Sequence, residues 1–347
     1  MSHGRHGGRS TTRPSFAVSS SSSSSSVSSQ IGASPDFSSI QKVMRDVFRS
    51  SEITIQQVER LQGRLYQVYL SKLGDGSSLV VKCSPPFNTR LLRHEKHGLE
   101  TERKALETLR EYTPLPVPRL IKYDSHGGDL GMPFILMTQV PGRRLSEFSS
   151  ILSASERNTI DRTLGGYVRS LTVLSATQYG STHRVFSKRG SSSWREAFLA
   201  LLEAALRDAE DMLVTVPYDN IRCYIGRHSH RLDEVTEPRL VAIYACNPNN
   251  VILDEQTRQI TGLVGFSNVV WGDPLMSGGI EGGSDAFFEG YGERPVRTEG
   301  AKVRMLMYAT YRAVLQIVAY HYRPQLEVDE LNARRSLTNA LNDLAQM

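Results

Sequence analysis

The chain has 347 residues, of which 39% are hydrophobic and 22% charged, and a formal net charge of +5 at pH 7. These figures suit a soluble globular protein with a sizeable core, arranged as two or three domains or as one domain with two lobes. They leave little case for a nucleic-acid surface, because Arg5, Arg9 and Arg13 lie in a stretch with no acid before Asp36 and the remainder is close to neutral. No apolar run approaches the ~20 residues of a membrane span, and the N-terminus has no apolar secretory core. Cys83, Cys223 and Cys246 are widely spaced and odd in number, which suits a reducing compartment, so a cytoplasmic location is expected.

Residues 1–36 form a Ser-rich tail, with "SFAVSSSSSSSSVSSQ" at its centre. Such composition cannot bury enough apolar area to offset chain entropy, so disorder is expected. A transit peptide is the weaker alternative, since the segment has little amphipathic apolar content. Ile40, Val43, Met44, Val47 and Phe48 then recur at helical spacing. Three short β-like runs follow, "EITIQQVERL", "LYQVYLSKL" and "SSLVVKCS", and "GDGS" joins the last two as a hairpin signal. A helix is expected over "LLRHEKHGLETERKALETLREY", broken by "PLPVPRLIKYD", with a buried strand at "MPFILMTQVPG". The order strand, strand, strand, helix, strand, strand describes a small antiparallel sheet with one helix packed on it.

After Pro141–Gly142 the character changes. Helical spacing dominates "SASERNTIDRTLGGYVRSLTVLS", "SWREAFLALLEAALRDAEDMLV", "AKVRMLMYATYRAVLQIVAYHY" and "LEVDELNARRSLTNALNDLAQ". A β-hairpin is expected within "VAIYACNPNNVILDEQTRQITGLVGFSN", residues 241–268. The expected fold class is α+β, a β-rich lobe over 37–141 followed by a larger helical lobe over 142–347.

That order, with the words "LVVKC", "ETERKALETL", "PVPRLIKYD", "PFILMTQVPGRRL", "SWREAF", "EPRLV", "NNVILD", "ITGLVGF", "WGDPL" and "FFEGYGE", resembles the aminoglycoside phosphotransferase family, most of all its fungal branch. The resemblance covers roughly residues 40–345 and implies the two-lobed protein-kinase-like fold; for function it is an analogy. It implies a nucleotide site built on Lys82, paired with Glu102 on the following helix, on the linker residues Gln139 and Val140, and on Asn250. Phosphoryl transfer of that kind needs a cation on the phosphates, divalent metal held by acids, and a carboxylate for the attacking hydroxyl.

Two of those acids are absent. Counting back from Asn250 puts Ala245 where the family has its catalytic Asp, and Ile243 where it has His. In "ITGLVGFS" Gly265 stands where the metal-binding Asp belongs and Ser267 where a Glu follows it. The Gly-rich loop departs as well: "QGRLYQVY" puts Leu65–Tyr66 where small polar residues would let backbone amides approach a phosphate. No catalytic residue and no metal ligand are therefore expected. ATP is left open, Mg²⁺ is not expected, and the partner is a small molecule, a nucleotide or a protein. Elsewhere, Cys246 is expected to be a small buried hydrophobe, and His228-Ser229-His230 to be solvated loop histidines.

The expectation is a catalytically degenerate, pseudokinase-like protein that binds a ligand in its cleft. One alternative is an active phosphotransferase acting on a small-molecule hydroxyl, with a displaced acid among Asp254, Glu255 and Asp273. Another is a cleft recruited for chemistry without phosphate, such as a cyclisation in specialised metabolism.

Overall fold

Apolar residues spaced three and four apart make the first helix, α1 (Phe37–Phe48), and its buried Ile40, Val43 and Met44 lie on the outer face of a five-stranded sheet. The computed structural model describes Pro35 and residues 37–63, 65–295, 298–323 and 329–347. The tail expected over 1–36 lies, Pro35 apart, outside the described residues. The strands are β1 (Ile55–Leu61), β2 (Gln67–Leu73), β3 (Ser78–Cys83), β4 (Leu120–Asp124) and β5 (Phe134–Thr138), in the order β1-β2-β3-β5-β4, and every neighbouring pair is antiparallel. Gly76, at φ +84°, supplies the left-handed residue of the β2–β3 turn.

Alternation along the strands sets what each face carries. Leu79, Val81 and Cys83 of β3 join Leu136 of β5 and Tyr69 of β2 under α1. Val80 and, by the same parity, Lys82 face the opposite way, toward α2 (Gly98–Tyr112) and the main core that continues into the second lobe. The helix α2 starts later than its periodicity suggests. Residues Arg93–Glu95 form a separate 3₁₀ turn, and the Glu95 carboxylate accepts from the backbone N–H of Leu92, 2.8 Å away.

The helical lobe contains β6 (Arg143–Arg144), α3 (Leu145–Phe148), α4 (Ala154–Val173), β7 (Gly180–Ser181), α5 (Thr182–Phe186), α6 (Trp194–Asp211) and α7 (Tyr218–His228). These are followed by β8 (Arg239–Ala242), β9 (Val251–Leu253), β10 (Ile260–Leu263) and β11 (Val269–Gly272), then α8 (Gly278–Glu281), α9 (Asp285–Tyr291), α10 (Glu299–Tyr322) and α11 (Glu330–Gln346). Capping fixes several starts: the Ser153 hydroxyl accepts from Glu156 N and closes a capping box at α4, and Ser193 caps α6 through Glu196 N. The hairpin β9–β10 is extended by β6, while β8, β11 and β7 form a second small sheet. Trp194, buried at the start of α6, donates from Nε1 to Tyr308 Oη at 2.7 Å and anchors α10. Among the described residues no helix is long and apolar enough to cross a membrane. This is the two-lobed, kinase-like α+β architecture that the sequence words imply.

One local expectation is corrected. His228 is not a solvated loop residue: it ends α7, is buried, and its Nε2 lies 3.0 Å from the carbonyl of Leu344 on α11. Ile221 and Ile225, four apart and buried, carried the helical signal.

Candidate functional site: a cleft closed from within

The site is framed by β3, α2, the linker after β5, and the β9–β10 hairpin. Lys82 lies opposite Val68 on one side and Ile135 on the other, and is 7% exposed. Its ammonium reaches Glu102 on α2, itself 2% exposed, and forms an ion pair with it. The pairing implied by the sequence is therefore present. At this depth the pair must be intact, since either charge alone would be buried without compensation.

The linker lies against the hairpin. Gln139 donates its N–H to Ser78 O at 3.3 Å, and Pro141 O accepts from Thr261 Oγ1 at 2.6 Å. The methyl groups of Val140 press on Gly262, where an added Cβ would stand 2.7 and 3.3 Å from them. A backbone bond from Leu263 N to Pro116 O, 2.9 Å, ties the same hairpin to the approach to β4.

Between β8 and β9 the chain runs through successive turns. Ala245 N donates to Ala242 O at 3.1 Å, Asn247 N to Tyr244 O at 3.0 Å, and Asn250 N to Asn247 O at 2.7 Å. Ile243 and Ala245 are buried, with 1% and 3% exposure, and are part of the apolar core. The Asn250 side chain donates from Nδ2 to Tyr244 O at 2.9 Å, and the residue's backbone carbonyl accepts from Val264 N at 2.9 Å.

Gly265 adopts φ +82°, a left-handed conformation. A Cβ there would meet Asn250 Oδ1 at 2.7 Å, Cγ at 2.9 Å and Nδ2 at 3.0 Å. The amide of Asn250 thus occupies the space that a side chain at 265 would enter. Phe266 follows, 1% exposed, and belongs to the core.

Tyr66 closes the cleft from the β-lobe. Its ring lies under the Lys82 ammonium, 4.2 Å from Nζ to the ring centroid, and its hydroxyl shares a hydrogen bond with the Ser267 side chain. Burial raises the hydroxyl pKa above the usual tyrosine range, and the Glu102 and Glu95 carboxylates add to the shift. Gly98 opens α2 in contact with this hydroxyl, and any Cβ there would collide with it. One tyrosine therefore spans from Lys82 in the β-lobe to Ser267 in the other lobe.

Of the nearby acids, Glu95, Asp254 and Asp273 are held by other groups, while Glu255 is exposed in the β9–β10 turn. Glu95 takes a two-pronged hydrogen bond from Arg323, at 2.5 and 3.0 Å; burial raises its pKa, with Arg323 opposing. Asp254 accepts from Gln256 N, Thr257 N and Thr257 Oγ1 at 2.7–3.0 Å in an exposed turn, which lowers its pKa. Asp273, 4% exposed, accepts from Leu275 N at 3.0 Å, Arg304 Nε at 2.8 Å and Tyr308 Oη at 2.7 Å. The magnesium ion that accompanies a nucleotide in this fold needs carboxylate oxygens converging on one point. The residues at 245, 250, 265 and 267 do not offer them, so they do not fit that ion. Cys246, expected to be buried, is half-buried against the core; desolvation pushes its thiol pKa up to about 12, and the Asp161 carboxylate adds to the shift.

Sequence reasoning saw the bulk of Tyr66 but not its reach to Ser267, and it missed Glu95 and Arg323 altogether. Arg323 follows α10, 228 residues from Glu95, and no local pattern marks such a pair.

The geometry agrees with what the chain is similar to. A candidate fructosamine-3-kinase from Haemophilus somnus 129PT superposes with a TM-score of 0.63 at 15% identity, over 89% of this chain and 98% of that one. A candidate aminoglycoside phosphotransferase from Ralstonia eutropha JMP134 gives 0.60 at 12% identity, over 89% and 97%. A thermostable mutant of an aminoglycoside phosphotransferase, in a ternary complex with ADP and hygromycin B, gives 0.58 at 15% identity, over 88% and 98%. A search of curated proteins finds no significant match. The profile of the phosphotransferase enzyme family matches residues 57–279, and the chain belongs to that family.

Proposed function

We propose that the chain is a catalytically degenerate member of this family, of its fungal branch and cytoplasmic, which uses the interlobe cleft to bind a small molecule, nucleotide or protein rather than to transfer phosphate. One observation carries the reading: at Gly265 the neutral amide of Asn250 fills the place of a metal-binding side chain. Catalysis of phosphoryl transfer rests on metal and positioned charge. A filled, neutral seat supplies neither. Of the three candidate displaced acids, Asp254 and Asp273 are held by turn and core partners and Glu255 is exposed at the hairpin turn beside Asp254, which weighs against the displaced-acid reading.

The test is a transferase assay with Mg²⁺ and Mn²⁺ across nucleotides and small hydroxylated acceptors, run beside thermal-shift titration with ATP. The expected result is no turnover, and any ATP-induced stabilisation is independent of Mg²⁺. Metal-dependent turnover that disappears in a folded Lys82→Met/Glu102→Leu variant overturns the proposal.

A further inference from the structure

A second group of side chains gathers at the start of α2. His97, immediately before that helix, and His183 on α5 stack face to face, with ring centroids 3.6 Å apart and planes within 1°. Both present Nδ1 to one carboxylate oxygen: Glu100 Oε2 is 3.0 Å from His183 Nδ1 and 3.9 Å from His97 Nδ1. The three donor atoms lie within 4.8 Å of one another. We propose that His97, Glu100 and His183 form a binding site for a first-row transition-metal dication of the zinc class, bridging the β-lobe helix to the helical lobe.

The chemistry of the donors selects the ion. Two imidazoles and one carboxylate, with a fourth position left to water, form a tetrahedral set suited to zinc, whereas magnesium and calcium take oxygen ligands. A carboxylate against stacked imidazoles is ready for an ion that needs neutral histidines. Burial and the neighbouring His183 already lower the His97 pKa, against the pull of Glu100 and with Arg189 and Lys96 adding to the shift. The charges of those two cations oppose any dication, which favours a strongly coordinating metal over a diffuse counterion. Parallel rings keep their in-plane lone pairs in two parallel planes, so the rings must splay by a side-chain rotation to converge on one ion. His97 has room for this, its side chain being 53% exposed, while His183 is held at 16%. The site uses none of the residues assigned to the cleft, and it clamps the start of the helix that carries Glu102.

The experiment uses the full chain, stripped with a chelator and titrated with Zn²⁺ against a chromophoric chelator, with Co²⁺ as a spectroscopic probe. Wild type should bind one equivalent more than His97→Ala or His183→Ala, and this equivalent should give the intense visible bands of tetrahedral Co²⁺. Histidines elsewhere, His3 and His6 among them, contribute equally to every variant and cancel in the difference. Glu100→Gln preserves shape and should weaken that equivalent at least about tenfold, as loss of groups supporting a metal does. His97 is exposed enough that its replacement should leave the circular dichroism unchanged, so a lost equivalent reports the site and not the fold. Equal stoichiometry in wild type and both histidine variants, or six-coordinate Co²⁺ spectra throughout, overturns the proposal.

Discussion

Replacing Gly265 by alanine tests whether the space beside it, proposed above to be the seat of a metal-binding side chain, is filled. The residue sits at φ +82°, where an L side chain costs about 1–2 kcal/mol. The new Cβ would stand 2.7–3.0 Å from all three amide atoms of Asn250, so that amide must move. Moving it breaks the 2.9 Å bond from Nδ2 to Tyr244 O, worth about 1 kcal/mol. Gly265→Ala should therefore destabilise by about 2–3 kcal/mol. Domains of 150–250 residues lose about 2–4 °C per kcal/mol, so this longer chain should lose about 4–6 °C in Tm. Urea denaturation of Gly265→Ala, Asn250→Ala and the double variant completes a cycle. Asn250→Ala removes both the obstacle and its hydrogen bond, so the double variant should be about 1 kcal/mol more stable than the additive sum. Additivity within about 0.5 kcal/mol, or a negligible cost for Gly265→Ala, would refute the packing argument. So would Mg²⁺-dependent transferase activity in Gly265→Asp, because that gain requires an empty seat.

Three further outcomes are expected. Lys82→Ala leaves the Glu102 carboxylate buried and unpaired, and should cost about 3–5 kcal/mol by chemical denaturation; Lys82→Met with Glu102→Leu should recover much of this. Tyr66→Phe keeps the ring under Lys82 but loses the bond to Ser267, about 0.5–1.5 kcal/mol, whereas Tyr66→Ala uncovers the ammonium and should strengthen ATP binding in a thermal-shift titration without metal. Burial pushes the His94 pKa down to about 4, with Asp208 opposing and Arg323 assisting. Between pH 6.5 and 4 the unfolded chain then binds a proton that the folded chain refuses. Its contribution to stability is complete above pH 6.5 and is lost as pH falls toward 4. The urea midpoint of His94→Gln should fall less steeply over that window.

The β-lobe was legible because its signals are local. Alternation marks β2 and β3, "GDGS" marks their turn, and the parity of Val80 and Lys82 already turns the lysine toward the helix. The absence of acids at 245 and 265 was legible because flanking words fixed the register on both sides. What escaped was non-local. The start of α2 is displaced because Glu95 is drawn off by Arg323, more than two hundred residues away, and caps its own turn. His228 looked solvated because its partner, the carbonyl of Leu344, belongs to the final helix. The stacked histidines come from separate lobes, and nothing in the spacing of either announces the other. Tyr66 was half legible: its volume contradicts a phosphate-binding loop, but only the fold shows which serine it meets.

The segment between β3 and α2 is bolted to the far lobe twice, by Arg93 N and Nη1 on Asp208 at 2.9 and 2.5 Å, and by Arg323 on Glu95. Asp208 and Arg323 are only 2% and 5% exposed. Dividing the polypeptide near residue 141 would strand these ionised groups in each half, so the two fragments should be insoluble when expressed separately. Co-expressed, they should find one another and reassemble, making the chain a natural candidate for fragment complementation.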